Sequence, residues 1–348
     1  MTTFDLLANL PLTVDGYQLR GLSAQISPEF ERHTTIVEIS GGGFTGLGED
    51  VVYTGAEQLE LQRLGPVHDL SPVRTLGDFC ELIESLELFP TPPEMEASRL
   101  YRIWAFTSAA LDLALRQNGL SLAAALQRDA QPMTYVVSTR LGEPPTIEPV
   151  TKRLGLDPAL RFKLDATSSW TPQIIAQLVA TSAVDSIDFK GMYRGTTVDQ
   201  PADPVLYQRV VEAFPDAWLE DPDLSSSEAM AVLAEQHHRI TWDAPIHSIA
   251  DIESLPFAPR MVNIKPSRIG RLNELCKTYD YCAEHHIGAY GGGQSELGVG
   301  RGQAQYLAAL FHPGTPNDLA PSAYNQMDPP AGLPRSPLSV DTTVSGFR

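Results

Sequence analysis

Charged residues end nearly every short apolar segment in the second half of this 348-residue chain. They are Lys163, Asp165, Asp188, Lys190, Glu220, Asp243 and Lys265. Charges that only solvate a surface would be scattered over helices, so this placement indicates one shared site. Asp188, Glu220 and Asp243 follow three consecutive segments, and three adjacent carboxylates cannot all ionise without a strong countercharge. Such hard oxygen ligands suit Mg²⁺, although each carboxylate taken alone is equally well explained as a helix cap or an ion pair.

Lys265 lies within the apolar word VNIKPS. A lysine in an apolar strand is costly unless it is paired or used. Beside a divalent cation its pKa would fall, which suits a general base. A structural salt bridge between Lys265 and Asp243 is the alternative interpretation.

The segments that carry these charges alternate with helical patterns from Pro132 onward. The expected strands are TYVVSTR, RFKLDA, SIDFKG, AWLEDP, ITWDAP, MVNIKPS, IGAYGGG and a weaker eighth, NDLAP. This alternation predicts crossover connections and a parallel sheet. Eight strands within residues 131–325 favour a closed, TIM-type (β/α) barrel, in which the carboxyl ends of the strands face the active-site mouth. An open doubly wound sheet is the alternative, which the lack of a GxGxxG or GxxxxGK[ST] motif weakens.

The first third of the chain predicts a separate α+β domain. Residues 10 to about 55 contain β-branched and aromatic residues with glycine turns, which indicates strands. Residues from about 57 to 128 have apolar residues three and four apart, which indicates helices. We therefore expect an α+β capping domain over residues 1–130. The turn-rich segment 326–348 is expected to return to this cap.

The residues and their order resemble the enolase superfamily. Lysine, aspartate, glutamate, aspartate and lysine follow one another on strands two to six, in words such as LEDP, WDAP and NIKPSRIG. GQSELGVG, FTGLGED and SAALDLALRQNGLSL are similar to the muconate lactonizing enzyme and o-succinylbenzoate synthase branch. The resemblance implies a modified barrel with a cap, and a Mg²⁺-dependent lyase or isomerase that removes a proton next to a substrate carboxylate.

The resemblance also implies roles for individual residues. Asp188, Glu220 and Asp243 would hold the metal, while Lys163 and Lys265, on opposite sides, would move the proton or stabilise charge. The expected partner is a small carboxylate substrate, and a homo-oligomer is compatible with the resemblance.

Two positions depart from the pattern of that branch. Asp165 stands where the second lysine of a Lys-x-Lys pair is usual, and Lys190 stands where an asparagine is usual. Either Lys190 supplies the missing amine while Asp165 orients it, or the two form a salt bridge and leave Lys265 to act alone. We favour the second interpretation, and in both the usual two-lysine racemase is in doubt.

Residues near the predicted mouth are candidates for substrate contact. They are Arg268, Tyr290, Gln294, Glu296 and His247. Arg268 could clamp an anion or pair with an acidic helix, and Tyr290 is more typical of a core. In the cap, Phe44 and Thr45 lie on a glycine-rich loop that is expected to cover the pocket.

Composition limits the remaining possibilities. The net charge of −18 argues against nucleic-acid and membrane partners. Three cysteines without metal-type spacing are expected to be reduced and buried. We expect no signal peptide and no apolar membrane span, and therefore a cytoplasmic location. Two other functions stay open: a repurposed, non-catalytic barrel that lost the lysine pair, and a metal-independent barrel hydrolase that uses two carboxylates.

Overall fold

The computed structural model describes residues 2–27, 30–196 and 198–348. An antiparallel sheet in the order β1-β2-β3 forms the centre of the first third. Its strands are β1 (Gly16–Ser27), β2 (Phe30–Gly41) and β3 (Phe44–Asp50). The helices of this part are α1 (Asp5–Ala8), α2 (Gly55–Leu64), α3 (Leu76–Ser85), α4 (Ala97–Gln117) and α5 (Leu122–Leu126).

Helix α4 packs directly on the backbone of β3. A Cβ atom at Gly48 would lie 2.0 Å from the carbonyl oxygen of Ala105, and one at Gly46 would lie 2.2 Å from that of Ala109. Only glycine permits this approach, because such contacts leave no room for a side chain. The glycines of FTGLGED therefore fix the distance between the sheet and its helix.

Strands and helices alternate through the rest of the chain. The strands are β4 (Val137–Thr139), β5 (Phe162–Asp165), β6 (Val184–Asp188), β7 (Trp218–Glu220), β8 (Ile240–Thr241), β9 (Met261–Ile264) and β10 (Gly288–Gly291). The helices are α6 (Glu148–Leu156), α7 (Pro172–Thr181), α8 (Pro204–Ala213), α9 (Ser227–Leu233), α10 (Ile249–Glu253), α11 (Pro266–Ile269), α12 (Leu272–Glu284) and α13 (Val299–Phe311). Short 3₁₀ helices span Ala234–Arg239 and Ser322–Asn325. The predicted mixed α/β class with an N-terminal α+β part is confirmed.

Parallel pairing orders strands β4-β5-β6-β7-β8 in one sheet and β10-β9 in a second. Single bridges extend these ladders, namely Trp242 with Val262, Gly292 with Asp318, and Tyr135 with Asn317. The predicted eighth strand is wrong as a continuous strand, since NDLAP contributes only the bridges at Asn317 and Asp318. Pro316 just before this segment and Pro321 at its end lack backbone N–H donors, which limits a longer ladder.

Helix starts in this region follow residues that suit the first turn. The Thr171 hydroxyl accepts a hydrogen bond from the amide of Ile174 at 3.3 Å, and the Asp203 carboxylate accepts one from Leu206 at 2.9 Å. A proline follows each cap and has the backbone angle that a first helical residue needs. These capping residues fix where helices α7 and α8 begin.

Glu49 joins the cap to the loop that follows β10. Its buried carboxylate accepts hydrogen bonds from the amides of Leu297, Gly298 and Gly300, at 2.7 to 3.0 Å. These amides lie at the start of α13, where the helix dipole favours a negative charge. Arg32 strengthens the joint, donating to the carbonyl oxygens of Val52 at 2.7 Å and of Gln294 at 3.1 Å.

The end of the chain lies against cap helix α4. The amide of Phe347 donates to the Asp112 carboxylate at 2.8 Å, and the Phe347 side chain is fully buried. The amide of Gly346 also donates to the carbonyl oxygen of Leu120 at 2.9 Å. The boundaries predicted for the domains, 1–130, 131–325 and 326–348, stay predictions. Within the described residues, no helix has the length and apolar character that a membrane crossing needs.

Arg102 is expected to be the most stabilising arginine of α4. Its Nε lies 2.8 Å from Asp50 Oδ2, its guanidinium stacks 3.6 Å from the centre of the Phe89 ring, and the ion pair is buried. Arg102→Met would leave the Asp50 charge uncompensated, so we expect the free energy of unfolding to fall by about 3–5 kcal/mol. Urea denaturation measures this loss.

Arg99→Met on the same helix is the matched control. Arg99 pairs with Glu87 and Glu96 at the surface, where ion pairs contribute little, so stability should barely change. Equal losses of unfolding free energy in the two variants would show that burial of the Arg102 ion pair does not account for its stabilising effect.

Candidate active site

Neighbouring strand ends bring the predicted carboxylates together. Asp165, at the end of β5, pairs in register with Asp188 at the end of β6, and Asp188 pairs with Glu220 at the end of β7. Alternation places apolar Ile187 and Leu219 on the other face of these strands. Asp188 and Glu220 are fully buried, so their charges must be balanced within the protein.

Asp221 completes a compact carboxylate group. One oxygen each of Asp188, Glu220 and Asp221 lie within 4.8 Å of one another. The third residue of the predicted triad was instead Asp243, which follows β8. Asp221 accepts the amide hydrogens of Asp243 at 2.9 Å and Ala244 at 2.8 Å, so it holds the start of the loop that carries Asp243.

Asp243 is surrounded by donors. Lys265 Nζ lies 2.7 Å from Asp243 Oδ2, and the Tyr193 hydroxyl donates to the same oxygen at 2.7 Å. Arg268 Nη1 donates to Oδ1 at 2.6 Å. The predicted alternative of a salt bridge between Lys265 and Asp243 therefore exists. Arg268 therefore pairs with the protein's own Asp243, and the predicted contact of Arg268 with a substrate anion stays a prediction.

Lys163 contacts three carboxylates on its side of the site. Its Nζ hydrogen-bonds Glu220 Oε1 and lies 3.1 Å from Asp188 Oδ2 and 3.5 Å from Asp318 Oδ2. The Tyr290 hydroxyl donates to the other Glu220 oxygen, Oε2, at 2.5 Å. Lys163 and Tyr290 together fix the orientation of Glu220.

Lys190 and Asp165 lie beside this group. Lys190 Nζ hydrogen-bonds Asp188 Oδ2 and lies 3.5 Å from Asp165 Oδ1. Arg140 Nε donates to the other Asp165 oxygen, Oδ2, at 2.7 Å. The predicted ion pair between Asp165 and Lys190 is present, and the Lys190 ammonium also pairs with Asp188.

The lysines differ in how tightly they hold their protons. Burial tends to lower the pKa of Lys163, but the carboxylates of Glu220 and Asp188 outweigh burial and raise that pKa well above its ordinary value. Burial prevails at Lys265, where Asp243 offsets it only in part, so the pKa of Lys265 is lowered. Lys265 thus gives up its proton more readily than Lys163, which stays a cation.

Gly292 makes room for Lys265. A Cβ atom at position 292 would lie 2.4 Å from Lys265 Cε and 2.7 Å from Asn263 Nδ2. The bare backbone lets the lysine side chain pass over the strand end toward Asp243. This close approach explains one glycine of the run that follows Tyr290.

The other predicted substrate contacts lie farther along the same loops. The Gln294 side-chain oxygen accepts from the Tyr53 hydroxyl at 3.0 Å, and the backbone amide of Gln294 donates to Glu296 Oε1 at 2.7 Å. Glu296 Oε2 in turn lies 2.9 Å from Arg301 Nη2. His247 lines a separate groove of about 660 Å³ beside the cap segment 84–103. Substrate contact by any of these residues stays a prediction.

Two functional candidates escaped sequence reasoning. Tyr193 lies in the loop after β6, outside any periodic pattern, and only the structure brings its hydroxyl to Asp243. In the cap, Phe44 opens β3 and its neighbour Thr45 accepts from Arg348. Tyr53 follows the other end of that strand and contacts Gln294. That Phe44 and Thr45 cover the pocket stays a prediction.

Comparisons with known proteins agree with this architecture. A stretch of 64 residues is 42% identical to o-succinylbenzoate synthase from Bacillus subtilis (strain 168), covering 18% of this chain and 17% of that enzyme. The chain thus matches less than a fifth of the length of this curated relative.

Solved structures match over nearly the whole length. A member of the enolase superfamily from Listeria innocua Clip11262 superposes with a TM-score of 0.67 at 19% identity, over 89% of this chain and 86% of that chain. A dipeptide epimerase from Methylococcus capsulatus, solved in complex with a Mg ion, gives a TM-score of 0.65 at 19% identity. This match covers 88% of this chain and 90% of that chain. At such identities the similarity establishes the fold alone, and at that level the predicted resemblance is confirmed.

Two domain profiles of one family cover most of the chain. The N-terminal domain of the domain of unknown function DUF8230 matches residues 5–125, and its C-terminal domain matches residues 129–326. The chain therefore belongs to the DUF8230 family, and its fold is that of the enolase superfamily.

Proposed function

We propose that this protein is a Mg²⁺-dependent lyase or isomerase that removes a proton from the carbon next to a substrate carboxylate. One observation carries the proposal: buried carboxylates from neighbouring strand ends lie between lysines from both sides. Asp188 and Glu220 contact Lys163 of β5, and Asp243 contacts Lys265, which follows β9. The synthase and epimerase names of similar proteins support the same reaction type.

Asp188, Glu220 and Asp243 are the proposed metal ligands. Their donor set fits Mg²⁺, since it consists of hard carboxylate oxygens in a buried site. We assign Asp221 a positioning role, because its oxygens already accept the amides of Asp243 and Ala244. Bound Mg²⁺ would supply positive charge that stabilises the negative charge developing on the substrate carboxylate.

Lys265 is the proposed base. Its amine reaches the site over Gly292, and burial favours its neutral form. Lys163 keeps its proton and contributes fixed positive charge beside Glu220. No second amine is free to act from β5, since Asp165 replaces it and binds Arg140. A single base favours elimination or cycloisomerisation over racemisation, in which opposite faces of one carbon exchange protons.

The repurposed, non-catalytic barrel is less well supported. That function predicts that Lys163 is diverted from the site by an unrelated salt bridge. Its partners Asp188 and Glu220 are instead two of the proposed ligands.

We further propose that the parallel strands form a closed barrel. The bridge between Trp242 and Val262 links β8 to β9, and the bridges at Asn317 and Asp318 link β10 to the start of β4. Closure would surround the carboxylates with strands on every side and exclude bulk water from them.

Solvent deuterium exchange tests the proposal. The protein would be incubated in D₂O with acid-sugar, dipeptide and succinylbenzoate-type carboxylates, with MgCl₂ or with EDTA, and exchange at the α-carbon followed by NMR. We expect exchange for one class of carboxylate, loss of it in EDTA, and recovery on adding excess Mg²⁺.

Two results would contradict the proposal. Failure to bind any divalent metal at millimolar concentrations, measured by calorimetry, would remove its central support. Turnover that is unchanged in EDTA would instead favour the metal-independent hydrolase.

A further inference from the structure

Lys190 holds Asp188 through both carboxylate oxygens. Its ammonium hydrogen-bonds Oδ2, and its own backbone amide donates to Oδ1 at 2.9 Å. The backbone of Lys190 is left-handed, with φ of 54°, which is uncommon for a residue other than glycine. Lys163 Nζ also lies 3.1 Å from Oδ2, so this oxygen of a proposed metal ligand faces two ammonium groups.

Asp165 offers Lys190 a second acceptor. Asp165 is only 9% exposed, and its Oδ1 makes no hydrogen bond within the described part of the chain. Lys190 Nζ lies 3.5 Å from this atom, an ion-pair distance that is too long for a good hydrogen bond. Because Arg140 occupies only Oδ2, Oδ1 lacks a donor and has one close by.

A divalent cation would compete with the Lys190 ammonium for Asp188 Oδ2. Mg²⁺ binds oxygen at about 2.1 Å, so an ion on this atom would lie within about 4 Å of Nζ, where the two positive charges repel strongly. We expect the ammonium to yield this oxygen when the cation arrives, because Asp165 Oδ1 offers it another acceptor. Moving about 0.7 Å toward Asp165 would complete a charge-assisted hydrogen bond of ordinary length.

We propose that Lys190 is the resident counter-ion of the metal site, which an arriving divalent cation displaces from Asp188 onto Asp165. The inference rests on the proposed function for the existence of the metal site. It adds which cation balances the negative charge of Asp188 when no metal is bound. It predicts that the protein's own lysine weakens metal binding. It also predicts that Asp165 strengthens metal binding by accepting the displaced ammonium.

Calorimetric titration with MgCl₂ tests the inference without any substrate. Lys190→Gln removes the competing charge and should raise Mg²⁺ affinity about tenfold or more, since the ion no longer meets a like charge. Lys190→Arg keeps the charge and should bind no more tightly than the wild type. Asp165→Asn removes the destination of the ammonium and should weaken binding severalfold.

A double-mutant cycle separates displacement from general electrostatics. If Asp165 acts by receiving Lys190, most of the loss caused by Asp165→Asn should disappear in the Lys190→Gln background. An equal loss in both backgrounds would overturn the inference, as would an unchanged or lower affinity of Lys190→Gln. Lys277→Gln, an exposed lysine paired with Glu274, is the matched control and should bind like the wild type.

Stability measurements give a second readout. Without metal, Lys190→Gln should lower the urea midpoint, because Asp188 loses a counter-ion, and saturating MgCl₂ should restore more stability to this variant than to the wild type. Equal stabilisation of the two proteins would count against the inference. Equal Mg²⁺ affinity in all variants would reject this inference alone, whereas no Mg²⁺ binding in any of them would reject the proposed function as well.

Discussion

Lys265→Met is expected to lower solvent deuterium exchange about a thousandfold, the scale that a positioned proton acceptor contributes. Methionine fills nearly the same space along Gly292 but carries no amine. Asp243 keeps Arg268 and Tyr193 as partners, so the fold and Mg²⁺ binding should survive. NMR exchange rates on the carboxylate found by screening would measure the loss.

The interpretation depends on where the loss arises. Calorimetry should find that Lys265→Met binds Mg²⁺ at least as tightly as the wild type, since the amine is not a proposed ligand and its loss removes a donor 2.7 Å from Asp243 Oδ2. Lys277→Met removes an exposed lysine and should leave exchange unchanged. Exchange within tenfold of the wild type in Lys265→Met, together with its loss in Lys163→Met, would move the base to the opposite side of the site.

The ends of the parallel strands were the most predictable part of the molecule. Apolar residues alternate with charges there, and the carboxyl ends of such strands meet at one edge. This is why Asp188 and Glu220 could be predicted to lie together, as their in-register pairing now shows. The short motifs LEDP and WDAP likewise indicated that Glu220 and Asp243 belong to the site.

The contacts of Lys190 with Asp188 and of Asp221 with Asp243 could not be predicted in the same way. Lys190 and Asp221 both adopt left-handed backbone conformations, with φ of 54° and 48°, at positions where the sequence has no glycine to signal them. These turns direct Lys190 onto Asp188 and Asp221 onto the amide of Asp243. Strained backbone of this kind is held by surrounding contacts, which a single sequence does not reveal.

Contacts between loops were a second feature that the sequence could not predict. Tyr193 reaches Asp243 because its loop is also tied to Asp223 through Arg194, at 2.7 and 3.0 Å. Gly191 adds a further tie by donating to the carbonyl oxygen of Asp221. Long-range pairs of this kind follow no period in the sequence, so Tyr193 was not predicted as part of the site.

Glu220→Gln is expected to lower Mg²⁺ affinity at least about a hundredfold, because a neutral amide replaces a buried carboxylate ligand. The two side chains have nearly the same shape. The amide can present its oxygen to Lys163 and its nitrogen to the Tyr290 oxygen, so both present contacts have a counterpart. We therefore expect a folded protein, with the free energy of unfolding lowered by about 1–3 kcal/mol because Lys163 loses one of its anions. Calorimetry measures the affinity and urea denaturation the stability.

Glu274→Gln makes the same chemical change at a carboxylate that pairs with Lys277 near the surface, and should bind Mg²⁺ like the wild type. If Glu220→Gln also bound within threefold of the wild type, Glu220 would be no ligand. Lys163 would then be its permanent partner rather than a neighbour of the metal. If affinity fell but stability did not, the metal-free site would have other means of balancing its charge. Asp188 and Asp318 would then balance the charge of Lys163, because both carboxylates lie within 3.5 Å of its ammonium.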